Sequence, residues 1–318
     1  MSSMAVGGGT KAVITAMLAN GGIAIAKFVA YLVTGSGAML AESIHSVADT
    51  SNQALLLLGG RRAQRVADDR HQFGYGRERY FWAFVVAMIL FALGGIFSIY
   101  EGISKLRDPH ELESLGWAIG VLLFAVVLES FAMRTAIIES RKVKGDKTWW
   151  EFIRKSRSPE LPVILLEDAG ALIGLLLAMI GVGLSVVTGD PTWDALGTLG
   201  IGILLVAISV VLTIEMKSLL IGEAATQEHI DAITAAAQKS ASVTRIIDLR
   251  TQHIGPEELL VAGKLEFDRG FSNTEVSDAI DTVETAIREA VPLAMQIYLE
   301  PDFFDPDYVD TSDVPSTH

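Results

Sequence analysis

Six stretches of this chain are apolar and long enough to cross a lipid bilayer, and no other feature narrows its fold so sharply. They lie near residues 12–34, 38–60, 80–104, 116–138, 161–187 and 194–220. A bilayer core of roughly 30 Å is crossed by about 20 mostly apolar helical residues. Lipid offers no hydrogen bonds, so each run must close its own backbone bonds as a helix. The pattern stops at Gly222. Thr-Gly-Ser-Gly at 34–37 makes the first two spans an antiparallel hairpin, and Gly189, Asp190 and Pro191 do the same for the last two. The first run lacks a basic segment before it and exceeds the apolar core of a secretory leader, so it reads as a retained span.

Loop charge then gives a direction. Arg61, Arg62, Arg65, Arg70, Arg77 and Arg79 lie between the second and third spans. Arg141, Lys142, Lys144, Lys147, Arg154, Lys155 and Arg157 follow the fourth. The opposite loops hold only Lys105 and Arg107. Positive loops stay inside, so both termini are expected in the cytoplasm. Trp117, Trp149, Trp150 and Trp193, at span ends, read as interfacial anchors.

The net charge of −13 belongs entirely to residues 222–318, which carry 19 acidic and 6 basic side chains. That balance argues against a nucleic-acid partner, whose phosphates demand Lys and Arg. There is no cysteine, hence no disulfide, thiolate metal site or thiol nucleophile. Helical periodicity covers 226–241 and 272–290, and strand alternation covers 243–254, 258–268 and 293–300. Gly255 and Pro256 mark a hairpin turn. Ser272 three residues before Glu275 predicts a capping box, and His253 reads as a surface strand residue. The order αββαβ predicts a compact α+β ferredoxin-like sandwich. The domains are therefore a six-helix transmembrane domain at 1–221, an α+β domain at 222–302 and an acidic, disordered tail at 303–318.

Ionisable groups inside a span cost about 2.5–3.5 kcal/mol each on insertion scales and so demand a reason. The second span holds Glu42, His45 and Asp49, spaced three and then four apart, which puts all three on one helix face. An imidazole and a carboxylate one turn apart form half of a divalent-metal site, for which zinc accepts both donors. A second helix must complete it. The fifth span offers Glu167 and Asp168, about 100° apart around the helix, so one faces the second span squarely. Asp168 is taken as the ligand, and Glu167 as a fourth ligand or proton carrier. Glu42 offers a relay nearer the outer side. Glu129 and Glu215 are read as balancing Lys27, Glu101 as pairing with Lys105, and Gly170, Gly174, Gly181 and Gly183 as close helix packing.

Gly35-Ser-Gly-Ala-Met-Leu-Ala-Glu-Ser-Ile-His-Ser-Val-Ala-Asp49 resembles the second helix of the cation diffusion facilitators. Asp68-Asp-Arg-His-Gln-Phe-Gly-Tyr-Gly-Arg-Glu-Arg79 is similar to their loop signature, and Asp248-Leu-Arg-Thr followed by Gly255-Pro256 to their cytoplasmic domain. The resemblance runs through most of the chain. It implies a homodimeric exchanger in a bacterial plasma (inner) membrane that moves Zn²⁺ out of the cytosol against protons, with the C-terminal domains helping the dimer hold. His45 and Asp49 match the family's second-helix pair, and Asp168 matches the second member of its fifth-helix pair.

Three departures stand out. Ile164 replaces the His or Asp that commonly precedes that ligand by one turn, and Glu167 offers compensation. Some members bind a second ion in the loop with an Asp and two His; Asp68 and His71 remain, but Tyr75 replaces the other His. The tail's metal-binding positions read Ile247, Glu300 and Asp302, with no His in 272–290, so no metal is expected there. Gly-x-Ser-x-Gly and His-Glu-x-x-His are absent, so no enzyme, catalytic residue or prosthetic group is expected. Zn²⁺ leads the expected cargo, with Mn²⁺, Fe²⁺, Co²⁺ and Cd²⁺ as alternatives. A passive divalent channel is the rival of different class, since channels favour weak ligands and fast release.

Overall fold

The computed structural model describes residues 13–14, 17–18, 20–26, 28–29, 32, 37–108 and 115–306, with 37–45, 48, 115–118 and 121 described by backbone alone. Nine residues of the expected first span, Lys27 among them, the Glu42, His45 and Trp117 side chains, and residues 307–318 of the expected tail lie outside that description. The chain divides into two compact units, Met1–Ile221 and Gly222–His318.

The first unit is helical. Its described elements are α1 (Gly37–Ala63), α2 (Glu78–Ile89), a π-helical segment Leu90–Ile96, α3 (Phe97–Arg107), α4 (Leu115–Lys144), α5 (Trp149–Lys155), α6 (Glu160–Thr188) and α7 (Thr192–Ile221). Three helices among the described residues are long and apolar enough to cross a membrane: Glu78–Arg107, Glu160–Thr188 and Thr192–Ile221. They cover the expected third, fifth and sixth spans. α1 and α4 run through the expected second and fourth, with Asp49 and Glu129 inside them. The short α5 lies in what reads as a loop. Thr148 caps it, accepting from the Glu151 backbone N–H while the Glu151 carboxylate returns to the Thr148 N–H.

α6 packs on α7, α4 on α6, α1 on α2, and α7 also takes the π-helical segment and α3. Tyr80, Ala83, Val86, Ile164, Leu212 and Met216 are buried between them. Glycine permits the closest approach. A Cβ on Gly202 would stand 2.7 Å from the Ile99 backbone nitrogen, and one on Gly181 2.9 Å from the Trp193 carbonyl oxygen. Gly170 also meets α7 closely, and Gly174 at ordinary contact, whereas a Cβ on Gly183 would meet nothing within 4 Å.

One expected ion pair is corrected. Lys105 reaches Asp194 at 2.9 Å and Thr198 at 3.4 Å rather than Glu101, because α7 brings an acid against the end of α3. Glu215 pairs with Arg154 of α5 at 3.0 Å, and its expected balance with Lys27 lies outside the described residues. Arg79 and buried Glu160 form a further ion pair joining the starts of α2 and α6.

The second unit comprises α8 (Gln227–Lys239), β1 (Val243–Gly255), β2 (Glu258–Phe267), α9 (Asn273–Ala290) and β3 (Ala294–Pro301). The sheet order is β1-β2-β3, antiparallel between the first two and parallel between the last two. Along β2 every second residue is buried. Leu259, Val261, Leu265 and Phe267 thereby share one face, packed with Ile233, Val283 and Ile287 of the helices. Ser272 and Glu275 form the capping box their spacing predicts. His253, expected at the surface, is only 1% exposed. The chain after Gly222 runs along this end of β1: the His253 backbone N–H donates to Glu223 O at 2.8 Å, and the Ala225 N–H donates to Thr251 Oγ1 at 3.0 Å.

Candidate functional site

One stripe of α1 carries Asp49, Asn52 and Gln53, a turn apart and helical throughout, and continues back to His45. Asp49 is half-buried, while Asn52 and Gln53 are buried. α6 begins behind Pro159 and presents Glu167 and Asp168 seven and eight residues in; only 6% and 2% of their surfaces are exposed. Fully apolar turns around these two acids leave them no local partner of their own, so neighbouring helices must supply one.

For Glu167 they do. Asn52 Nδ2 donates to Glu167 Oε1 at 2.9 Å, and Gln53 Nε2 donates to Oε2 at 3.2 Å. Asn20, described in the first span region and buried, directs its own amide to Gln53 Oε1 at 3.5 Å. Asp168 differs. Its Oδ2 has no hydrogen-bond partner among the described residues, and neither has Asn52 Oδ1. A buried polar atom without a partner costs about 1–3 kcal/mol, more when charged. The charges of Asp49 and Glu129 both bear on Asp168 and on Glu167, so acids from α1, α4 and α6 share one region.

Such a group of acids in apolar surroundings repels itself unless positive charge enters. A divalent cation or protons are the ordinary means. Asp49, Glu167 and Asp168 are thus brought to one locality, and the His45 side chain lies outside the described set. Among the described residues no three His, Asp or Glu side chains are already arranged around a metal position.

Three residues escaped the sequence reading of the site. Glu129, 8% exposed, bears on Asp168 by its charge, and its expected balance with Lys27 lies outside the described residues. Asn52 and Gln53 were passed over because they carry no charge. Their spacing from Asp49, three and four residues, was the available signal.

The loop between α1 and α2 brings Asp68 and His71 together as well, but fills them locally. Tyr75 Oη donates to Asp68 Oδ2 at 2.6 Å, and Asp68 Oδ1 accepts from the backbone N–H groups of His71 at 2.7 Å and Arg70 at 3.1 Å. His71 Nδ1 stands 3.5 Å from Oδ1. The Arg65 guanidinium lies 4.5 Å from the centre of the Tyr75 ring. The Tyr75 hydroxyl first, then the His71 N–H, hold the Asp68 carboxyl below its usual range. The same bond to Asp68 holds the Tyr75 phenol above its own.

The family model for the cation efflux transmembrane domain matches residues 13–221. The mitochondrial proton-coupled zinc antiporter SLC30A9 of Xenopus laevis is 35% identical over 269 residues, 84% of this chain and 48% of that protein. Metal tolerance protein C4 of Arabidopsis thaliana is 27% identical over 260 residues, 81% of this chain and 57% of that one. The cation-efflux pump FieF of Salmonella newport is 27% identical over 287 residues and covered to 89%, as is this chain. The chain spans about half the length of the first two relatives.

Proposed function

The chain belongs to the cation diffusion facilitator family, and from that premise we propose that it exports a divalent metal cation, zinc first, in exchange for protons. The observation that carries the reading is Asp168: an acid 2% exposed on a membrane-length helix, one oxygen unpartnered among the described residues, with the charges of Asp49 and Glu129 upon it. Asp168, Asp49 and His45 are the proposed ligands, from helices α6 and α1.

Ligands of this kind bind metal only when His is neutral and Asp ionised, so loading releases protons and protonation expels the ion. An imidazole titrates ordinarily near pH ~6.5, within reach of the gradients membranes maintain. Rocking of helices about a fixed site would expose it to the two sides in turn. Residues 1–221 are the transport domain, both termini lie in the cytosol, and residues 222–302 hold a homodimer together. The similarity to a proton-coupled zinc antiporter supports the coupling and the cargo.

The oxygen-rich surroundings favour one second reading of the cargo. With several carboxylates near a single imidazole, manganese or iron(II) becomes the main ion, because harder cations prefer oxygen donors.

Purified protein in proteoliposomes under an imposed pH gradient tests the proposal. Saturable Zn²⁺ uptake that collapses with the gradient, and that Asp49→Ala or Asp168→Ala removes, is the expected result. Uptake indifferent to the gradient, or to loss of Asp168, overturns it.

A further inference from the structure

We propose that Asn52 and Gln53 are positioning residues that hold Glu167 off the transported ion, so that of the two adjacent acids on α6 only Asp168 binds it. The inference deepens the transport reading and rests on it. Both Glu167 oxygens are engaged by N–H donors, at 2.9 and 3.2 Å, from consecutive residues of one helix. Asn and Gln differ by one methylene, and this difference lets two side chains about 100° apart on α1 reach the two ends of one carboxylate. Gln53 cannot turn its amide over without cost, because its oxygen faces Asn20 Nδ2 at 3.5 Å. Asp168, one residue on, has no partner for Oδ2 among the described residues.

The donors are amides, and that has a consequence. A Lys or Arg would satisfy Glu167 and cancel its charge. An amide satisfies the hydrogen bonds and brings no charge of its own. Glu167 then stands beside the site without adding an oxygen to the ion's shell. A shell limited to His45, Asp49 and Asp168 suits the borderline ions zinc and cobalt. Another carboxylate oxygen would move it toward manganese. The clamp is in this sense a selectivity device.

Co²⁺ serves as the probe on the full-length protein in lipid nanodiscs, since its visible absorption reports the number and kind of its ligands. Glu167→Gln, which preserves shape, is expected to keep the wild-type Co²⁺ spectrum with affinity reduced by less than about tenfold. Asn52→Ala/Gln53→Ala is expected to weaken the bands, as Glu167 joins the shell, and to shift Zn²⁺/Mn²⁺ preference toward Mn²⁺ by about tenfold. Adding Glu167→Gln to that pair restores the wild-type spectrum. The clamp is overturned if Glu167→Gln alone changes the spectrum as Asp168→Asn does, or if the double variant leaves spectrum and preference unmoved. A wild-type protein that gives no Co²⁺ spectrum, or an Asp168→Asn variant that keeps it, removes the transport site itself and the clamp with it.

Discussion

Asp68 and Asp168 are the same side chain in opposite predicaments. In the loop, Asp68 is exposed and both its oxygens are taken: one by Tyr75, the other by two backbone N–H groups. On α6, Asp168 is buried where water does not compete, and one oxygen has no partner among the described residues. Satisfying an acid in water costs the fold little and yields a rigid turn. Leaving one unsatisfied in an apolar zone costs much, a cost that the proposed ion would offset. An aspartate beside a histidine in the sequence therefore says less than which of its oxygens the fold has already used.

The sharpest challenge to this contrast is paired substitution. Asp168→Asn should lower Zn²⁺ flux in proteoliposomes by about a hundredfold or more, whereas Asp68→Asn should change it by less than about threefold. Equal losses would break the comparison. Next in size is Tyr75→His, which removes the hydroxyl that fills Asp68 and places a second imidazole beside it. Equilibrium dialysis should then find an additional Zn²⁺ per chain, as expected for an Asp with two His.

A pH titration sharpens the loop side. The Asp68 carboxyl sits below its ordinary 3.8, so its contribution is complete above that value and is lost as pH falls through the lowered one. The Tyr75 phenol sits above its ordinary 10.0, so its contribution is complete below that value and is lost as pH rises through the raised one. The turn should stay closed across the whole physiological range. Ultraviolet absorbance of Tyr75, read as a difference from Tyr75→Phe, checks this: a phenol ionising below its ordinary range would contradict it. The smallest effect belongs to another locally satisfied acid. Glu275 accepts from the Ser272 N–H and hydroxyl, each at 2.7 Å. Ser272→Ala should cost the second unit about 1 kcal/mol in denaturant unfolding and leave transport untouched.

Much of the second unit was legible in the residues. Period-2 burial along β2, the turn at Gly255, and the Ser272–Glu275 spacing are local signals, and local signals survive folding. His253 was misread for the complementary reason. The chain after Gly222 hydrogen-bonds its backbone, and nothing near His253 announces that arrangement. In the membrane unit, hydropathy located helices but not their partners: Lys105 meets Asp194 across helices, and Arg154 meets Glu215. Asp49 and Asp168 stood out because charge in a span is costly. Asn52 and Gln53 did not, since a neutral amide in a span attracts notice only once its acceptor is known.

The π-helical stretch Leu90–Ile96 makes chain length negotiable at one place in the membrane unit. A wider turn there accommodates surplus backbone, and such insertions leave the flanking helices able to face as they would without it. Deleting one residue inside this stretch should let α2 and α3 fuse into an unbroken α-helix with Gly102 still against Leu199. The same deletion in α3, between the stretch and Gly102, would swing that glycine about 100° from its seat. A gene losing one codon would be forgiven at the first address and punished a turn away.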